Sequence, residues 1–157
     1  MTSGALQTLL DSLMAQWESE VVEFKQEDDH YATSDIGKYF SALSNEANLR
    51  GAESAWLVLG VNNKTRTVVG TDYREDTQRL MGLKHQIAQG LEPSTSFKDI
   101  HVLYTQHGRV VLFEIPAAPR GIPIAWQGHC YGRNGESLAG LSLTKQDDIR
   151  RQGAAED

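Results

Sequence analysis

Residues 100–116 read Ile-His-Val-Leu-Tyr-Thr-Gln-His-Gly-Arg-Val-Val-Leu-Phe-Glu-Ile-Pro. Ile100, Val102 and Tyr104 recur at period two and define one face of a strand. His107-Gly108 supplies the turn, and the apolar run Val110 to Ile115 returns as a buried strand that Pro116 ends. The stretch predicts an antiparallel hairpin, and helical periodicity on both sides of it predicts helices to cover it.

Upstream, Leu80, Leu83, Ile87 and Leu91 trace a helix opened by the acidic segment Asp72 to Asp76 and closed by Gly90 and Pro93. Before it, AWLVLGV (55–61) and TVVG (67–70) flank Asn-Asn-Lys-Thr-Arg and predict a second hairpin. Ile36, Tyr39, Phe40, Leu43 and Ala47 form another helical stripe that Thr33, Ser34 or Asp35 can cap. Val22 and Phe24 alternate with Glu23 and Lys25 as a short strand, followed by the loop EDDHYATSD. The first element, Leu6 to Trp17, is an amphipathic helix with Thr2 or Ser3 as its cap.

Downstream, PAAPRGIP is a stiff extended loop. Short strands at Ile124 to Trp126 and His129 to Arg133 precede the turn Asn134-Gly135, and Thr144 with Asp147 suggests a capped last helix through Arg151. No internal repeat interrupts the pattern. The fold class is therefore α/β of the α+β type, with a mixed, largely antiparallel sheet and helices packed on it. Residues 1–152 form one domain and 153–157 a flexible tail.

The 157 residues suffice for one core, and a formal charge of −6 argues against a uniformly basic surface. A local basic groove stays open, because Arg residues recur singly among the acids. One cysteine excludes an internal disulfide, no leader of signal-peptide type is present, and no apolar run is long enough to span a membrane. The expected location is the cytoplasm.

Candidate chemistry concentrates in Glu18-Ser-Glu-Val-Val-Glu-Phe-Lys. A strand puts Glu23 and Lys25 on one face, and a turn after the first helix could bring Glu18 toward Glu23. Two carboxylates so placed could hold a divalent cation or share acid and base roles; a solvated sheet edge with Glu23 paired to a Lys or Arg is the alternative.

With that strand, SALSNEANLRG (41–51), WLVLGVNNKTRTVVGTDYR (56–74), VLFEIPAAPRGIPIAW (111–126) and YGRNGES (131–137) resemble, in order and spacing, the Schlafen AlbA-type domain of bacterial regulators. The likeness covers nearly all of the chain. It implies a Schlafen-core-like single lobe with a nucleic-acid-related role, and, as in animal Schlafen proteins, a metal-dependent endoribonuclease acting on structured RNA such as transfer RNA. The family's two glutamates fall on Glu18 and Glu23, which would hold Mg²⁺ or Mn²⁺. Its third acidic position falls on Asn62 or Asn63, neutral amides that weaken the hold on a hard cation. The resemblance also implies a homodimer, since animal cores join two lobes around RNA.

Lys25, Arg50, Arg120 and Arg133 are expected to contact phosphate, and Tyr131 to stack on a base. A non-catalytic DNA-binding regulatory or assembly module is the alternative of a different class. GRNGES lacks a Walker lysine, so ATP is not expected and a nucleotide-binding domain is only the third alternative, and the scattered histidines offer no zinc site. Cys130, Trp56 and Trp126 read as packed side chains.

Overall fold

The computed structural model describes residues 1–15, 21–135 and 137–154. Its main sheet has the order β1-β2-β5-β4, from Val22–Lys25, Ser54–Leu59, Gly108–Pro116 and Asp99–Thr105. β1 runs parallel to β2, with Glu23 opposite Leu57, whereas β2–β5 and β5–β4 are antiparallel. A smaller antiparallel sheet, β3-β6-β7-β8, comprises Leu91–Glu92, Ala125–Trp126, His129–Asn134 and Ser137–Gly140. The expected mixed, largely antiparallel α+β architecture is what the chain adopts.

Pleating divides the core. Val22, Phe24, Val58, Leu103, Val110 and Leu112 point to one face, where helix α1 (Ser3–Ala15) lays Leu6, Leu10 and Leu13 on them. Leu57, Leu59, Val111, Phe113 and Ile115 point to the other, which is covered by helix α2 (Thr33–Arg50) and helix α3 (Thr77–Gly90). Helix α4 (Leu143–Ala154) packs on α2. Among the described residues no helix is long and apolar enough to cross a membrane.

Trp126 fastens the small sheet to the helices. Its indole is buried against Gly37 of α2 and Gly90 at the end of α3, and a Cβ at either glycine would overlap the ring. The two glycines lower helix propensity where they stand, so their use here is steric.

Several local readings need correction. The segment 67–70 is not a strand: only a bridge between Val61 and Val68 forms, because both edges of β2 are already paired with β1 and β5. Strand β8, which completes the hairpin at Asn134-Gly135, and the short β3 went unrecognised. The N-cap of α2 is Ala32, without a side-chain cap, and Ser142 rather than Thr144 accepts from the Lys145 N–H at the start of α4. Gly153 and Ala154, assigned to the tail, are helical. Trp17 lies outside the described residues.

Candidate nucleic-acid interface

Glu23 is an acid in a strand covered on both sides. Its neighbours Val22 and Phe24 face α1, so Glu23 turns toward α2 and β7, where its side chain is only 5% exposed. There the Arg133 guanidinium donates from Nη2 to Glu23 Oε2 at 2.5 Å and from Nη1 to the Val22 carbonyl at 3.2 Å. A buried carboxylate without such a partner would be strongly destabilising.

The charge alternation continues inward. Glu46 of α2, also buried, accepts from the Arg133 backbone N–H at 3.0 Å and from Lys145 Nζ at 2.6 Å, while Lys145 also donates to the Arg133 carbonyl. Gly132 makes room for this approach: a Cβ there would lie 2.7 Å from Leu141 Cδ1 and 3.1 Å from Glu46 Oε1. Two expectations change as a result. Glu23 and Lys25 share a strand face and Glu23 pairs with an arginine, as expected, but Glu23 is not solvated there, and Arg133, expected at phosphate, is wholly buried as its partner.

At the end of β1 the chain opens a cleft of 360 Å³ lined by Glu23, Lys25, Asn62, Asn63 and Lys64, among others. The family-matched positions 23, 62 and 63 thus meet in one place, while Glu18 lies outside the described residues. Asn62 is engaged at both ends of its amide: Nδ2 donates to Gln26 Oε1 at 3.0 Å, and Oδ1 accepts from the N–H groups of Lys64 and Thr65 at 2.9 and 3.0 Å. It shapes the turn as an Asx motif does.

With Glu23 bonded to Arg133 and Asn62 holding its own turn, the described residues do not fit a divalent cation. Nor do any three described His, Cys, Asp or Glu side chains group so as to hold one.

Cations mark the rim of the cleft. Lys25 Nζ stands 5.3 Å above the Tyr39 ring, Lys64 is exposed on the turn, and the Arg66 guanidinium lies 4.8 Å over Phe24 with Nε donating to the Asn63 carbonyl. Sequence reasoning missed Lys64 and Arg66, although they flank Thr65 in a segment read only as a hairpin turn. Beside them two acidic loops join: Asp72 accepts from the Asp29 N–H, and Asp29 binds the Arg79 guanidinium at 2.7 and 2.9 Å. The Arg74 backbone N–H and the Arg79 guanidinium hold the Asp29 carboxyl below its usual range. Arg74 and Arg109 are buried and bind mostly carbonyls, with Arg109 clamping residues 71, 73 and 74.

The remaining candidates lie elsewhere. Arg50 ends α2, about 16 Å along the helix from Tyr39 at 1.5 Å per residue. Arg120 lies at that same end, where Asn48 binds the Ala118 carbonyl, and its Nε donates to the Gln152 carbonyl. Tyr131 is half-buried against the core and lines a separate cleft with His129 and Cys130. Burial pushes the Cys130 thiol above its ordinary value, with the Arg150 charge acting the other way, which suits a packed side chain.

The sequence model of the family described as Schlafen, AlbA_2 matches residues 18–142. Among solved structures, the DIP2311 protein of Corynebacterium diphtheriae superposes with a TM-score of 0.59 at 16% identity, over 94% of this chain and 28% of that one. The N-terminal domain of a RecG-related protein of Nitrosomonas europaea superposes with a TM-score of 0.55 at 20% identity, over 87% of this chain and 90% of that domain. Both likenesses are of fold. The chain thus spans little more than a quarter of the Corynebacterium protein. No curated protein sequence matches the chain.

Proposed function

Because the chain belongs to the Schlafen AlbA_2 family, we propose that it is a nucleic-acid-binding module that grips a phosphate backbone at the Lys25–Lys64 rim and does not cleave it. The observation that carries this reading is the cleft itself, in which the family-matched positions meet under two lysines while Glu23 is neutralised by Arg133. Lysine contacts of this kind bind phosphate without regard to sequence and lose affinity as salt rises. The name of the RecG-related relative, which refers to a DNA helicase, agrees with a nucleic-acid setting. RNA is preferred over DNA on the family resemblance alone.

The test is fluorescence anisotropy of labelled transfer RNA and of a DNA duplex of similar length, followed by a gel of the same samples with Mn²⁺ or Mg²⁺. Binding with intact RNA is expected; absence of binding at low salt overturns the module. Metal-dependent cleavage that Glu23→Gln abolishes in protein that remains folded would instead establish the endoribonuclease. That second reading is favoured by the meeting of positions 23, 62 and 63 at one cleft. A second copy facing the cleft would supply the opposite wall of an RNA groove. Light scattering that finds a strict monomer with and without RNA would exclude it.

A further inference from the structure

The turn 62–68 has two sides. Asn62, Asn63 and Lys64 face the cleft just described, whereas Arg66, Thr67 and Val68 line a larger groove of 720 Å³ with Gln7 and Met14 of α1 and with Tyr104, Gln106 and His107 of the β4–β5 hairpin. The volume falls within the range of about 300–1,000 Å³ usual for small-molecule sites. One wall separates the two, so a strand crossing the lysine rim at residue 64 reaches the groove at residue 66.

Tyr104 distinguishes this groove. Among the described residues, Tyr31 and Tyr73 pack edge to face on each other, Tyr39 lies under Lys25, and Tyr131 meets His129. Tyr104 shows no such ring or cation partner and is 75% exposed, the most exposed large apolar side chain after Leu143. Its cross-strand neighbour Arg109 is drawn away to the carbonyls of Thr71, Tyr73 and Arg74. The ring therefore offers an open π-face, and the groove also holds the Gln106 amide and the His107 imidazole, which bond each other at 3.2 Å and keep further donor and acceptor capacity for the edges of a heterocycle.

We propose that this groove receives an unpaired nucleobase from the strand held at the Lys25–Lys64 rim, stacked on Tyr104. The proposal rests on the nucleic-acid reading above and deepens it: the ligand is single-stranded, or carries an unpaired loop, because a base paired in a duplex presents no free face to a tyrosine. Asp72 lies by the first cleft and Asp11 of α1, its Oδ1 accepting from Gln7 Nε2, lines the groove, so phosphate is repelled on both sides and keeps to the turn along Lys64 and Arg66.

The experiment uses the full chain and a short single-stranded RNA carrying 2-aminopurine at successive positions, with a blunt RNA duplex as comparison. Saturating protein is expected to quench one 2-aminopurine position. Tyr104→Ala should lift that quench and weaken single-strand binding about tenfold, in the range of base–aromatic stacking, while leaving duplex affinity unchanged. Tyr104→Trp should keep both quench and affinity. If the wild type binds single strands but Tyr104→Ala binds them equally well with the quench intact, the base site is overturned while the lysine rim stands. If the wild type binds no nucleic acid at low salt, both fall.

Discussion

Arg133 Nη2 and Glu23 Oε2 meet at 2.5 Å, with both side chains buried, and so join two strands that lie 110 residues apart in sequence. The pair welds the small sheet to the edge of the large one beneath the cleft. Removing one partner leaves a buried charge, so Arg133→Met should lower unfolding stability by about 3–5 kcal/mol in urea. The double variant Glu23→Gln with Arg133→Met should lose less than the sum of the singles. Additive losses would show that the two groups do not act on one another.

Trp126 sets the sign of two glycine substitutions. Gly→Ala within a helix ordinarily stabilises by about 1 kcal/mol, and Gly82 of α3, where a Cβ meets nothing within 4 Å, should follow that rule. Gly37→Ala should instead destabilise by roughly 1–3 kcal/mol, since its methyl enters the space of the indole. Thermal melts of the two single variants give the answer, and a shift of the same sign in both would mean that Trp126 does not occupy that space.

Acid should loosen the loops beside the cleft. The Asp29 carboxyl is held below its unfolded value of 3.8, first by the Arg74 backbone N–H and then by Arg79, with partial burial opposing them. Its contribution is present above the unfolded value and is lost as pH falls through the lower folded one. Urea unfolding of wild type and Asp29→Asn should differ at pH 6 and converge below about pH 3.8. A constant difference across that window would remove Asp29 from the acid response.

Metal binding is open to a gain-of-function measurement. Asp at position 62 keeps the acceptor that the Lys64 and Thr65 N–H groups need and adds a charge beside Glu23. Mn²⁺ should leave the wild-type melting temperature unmoved and raise that of Asn62→Asp. At ten times the dissociation constant the stabilisation is about 1.4 kcal/mol. A wild-type shift of that size would show that the unaltered chain already binds the metal.

What the sequence disclosed was chiefly local. The stripe Leu80, Leu83, Ile87 was legible because helical spacing reports a buried face, and the acidic opening Asp72 to Asp76 was legible as a helix start, whose cap the structure assigns to Asp76 through the Arg79 N–H. Strand partners were not, since period two says which face is apolar and nothing about which strand lies alongside. The expected hairpin at 55–70 failed for that reason, as β2 found β1 and β5 instead. The burial of Glu23 was hidden too: the alternation Val22-Glu23-Phe24-Lys25 looks one-sided until β7 brings a guanidinium to the other side. Glu23, Asn62 and Asn63 were placed near one another by resemblance, and the cleft joins them with Lys25, whereas Arg50 and Arg120 stand at the far end of α2.

The lysine rim is most directly examined by the salt dependence of RNA binding. Anisotropy titrations of structured RNA between 50 and 200 mM salt should give a linear fall of log K with log salt, and the variant Lys25→Ala with Lys64→Ala should bind more weakly with a slope smaller by roughly 1.5–2. Wild-type binding whose slope is unchanged in that variant, or no salt-sensitive binding at all, would contradict the assignment of the Lys25–Lys64 cleft as a nucleic-acid interface.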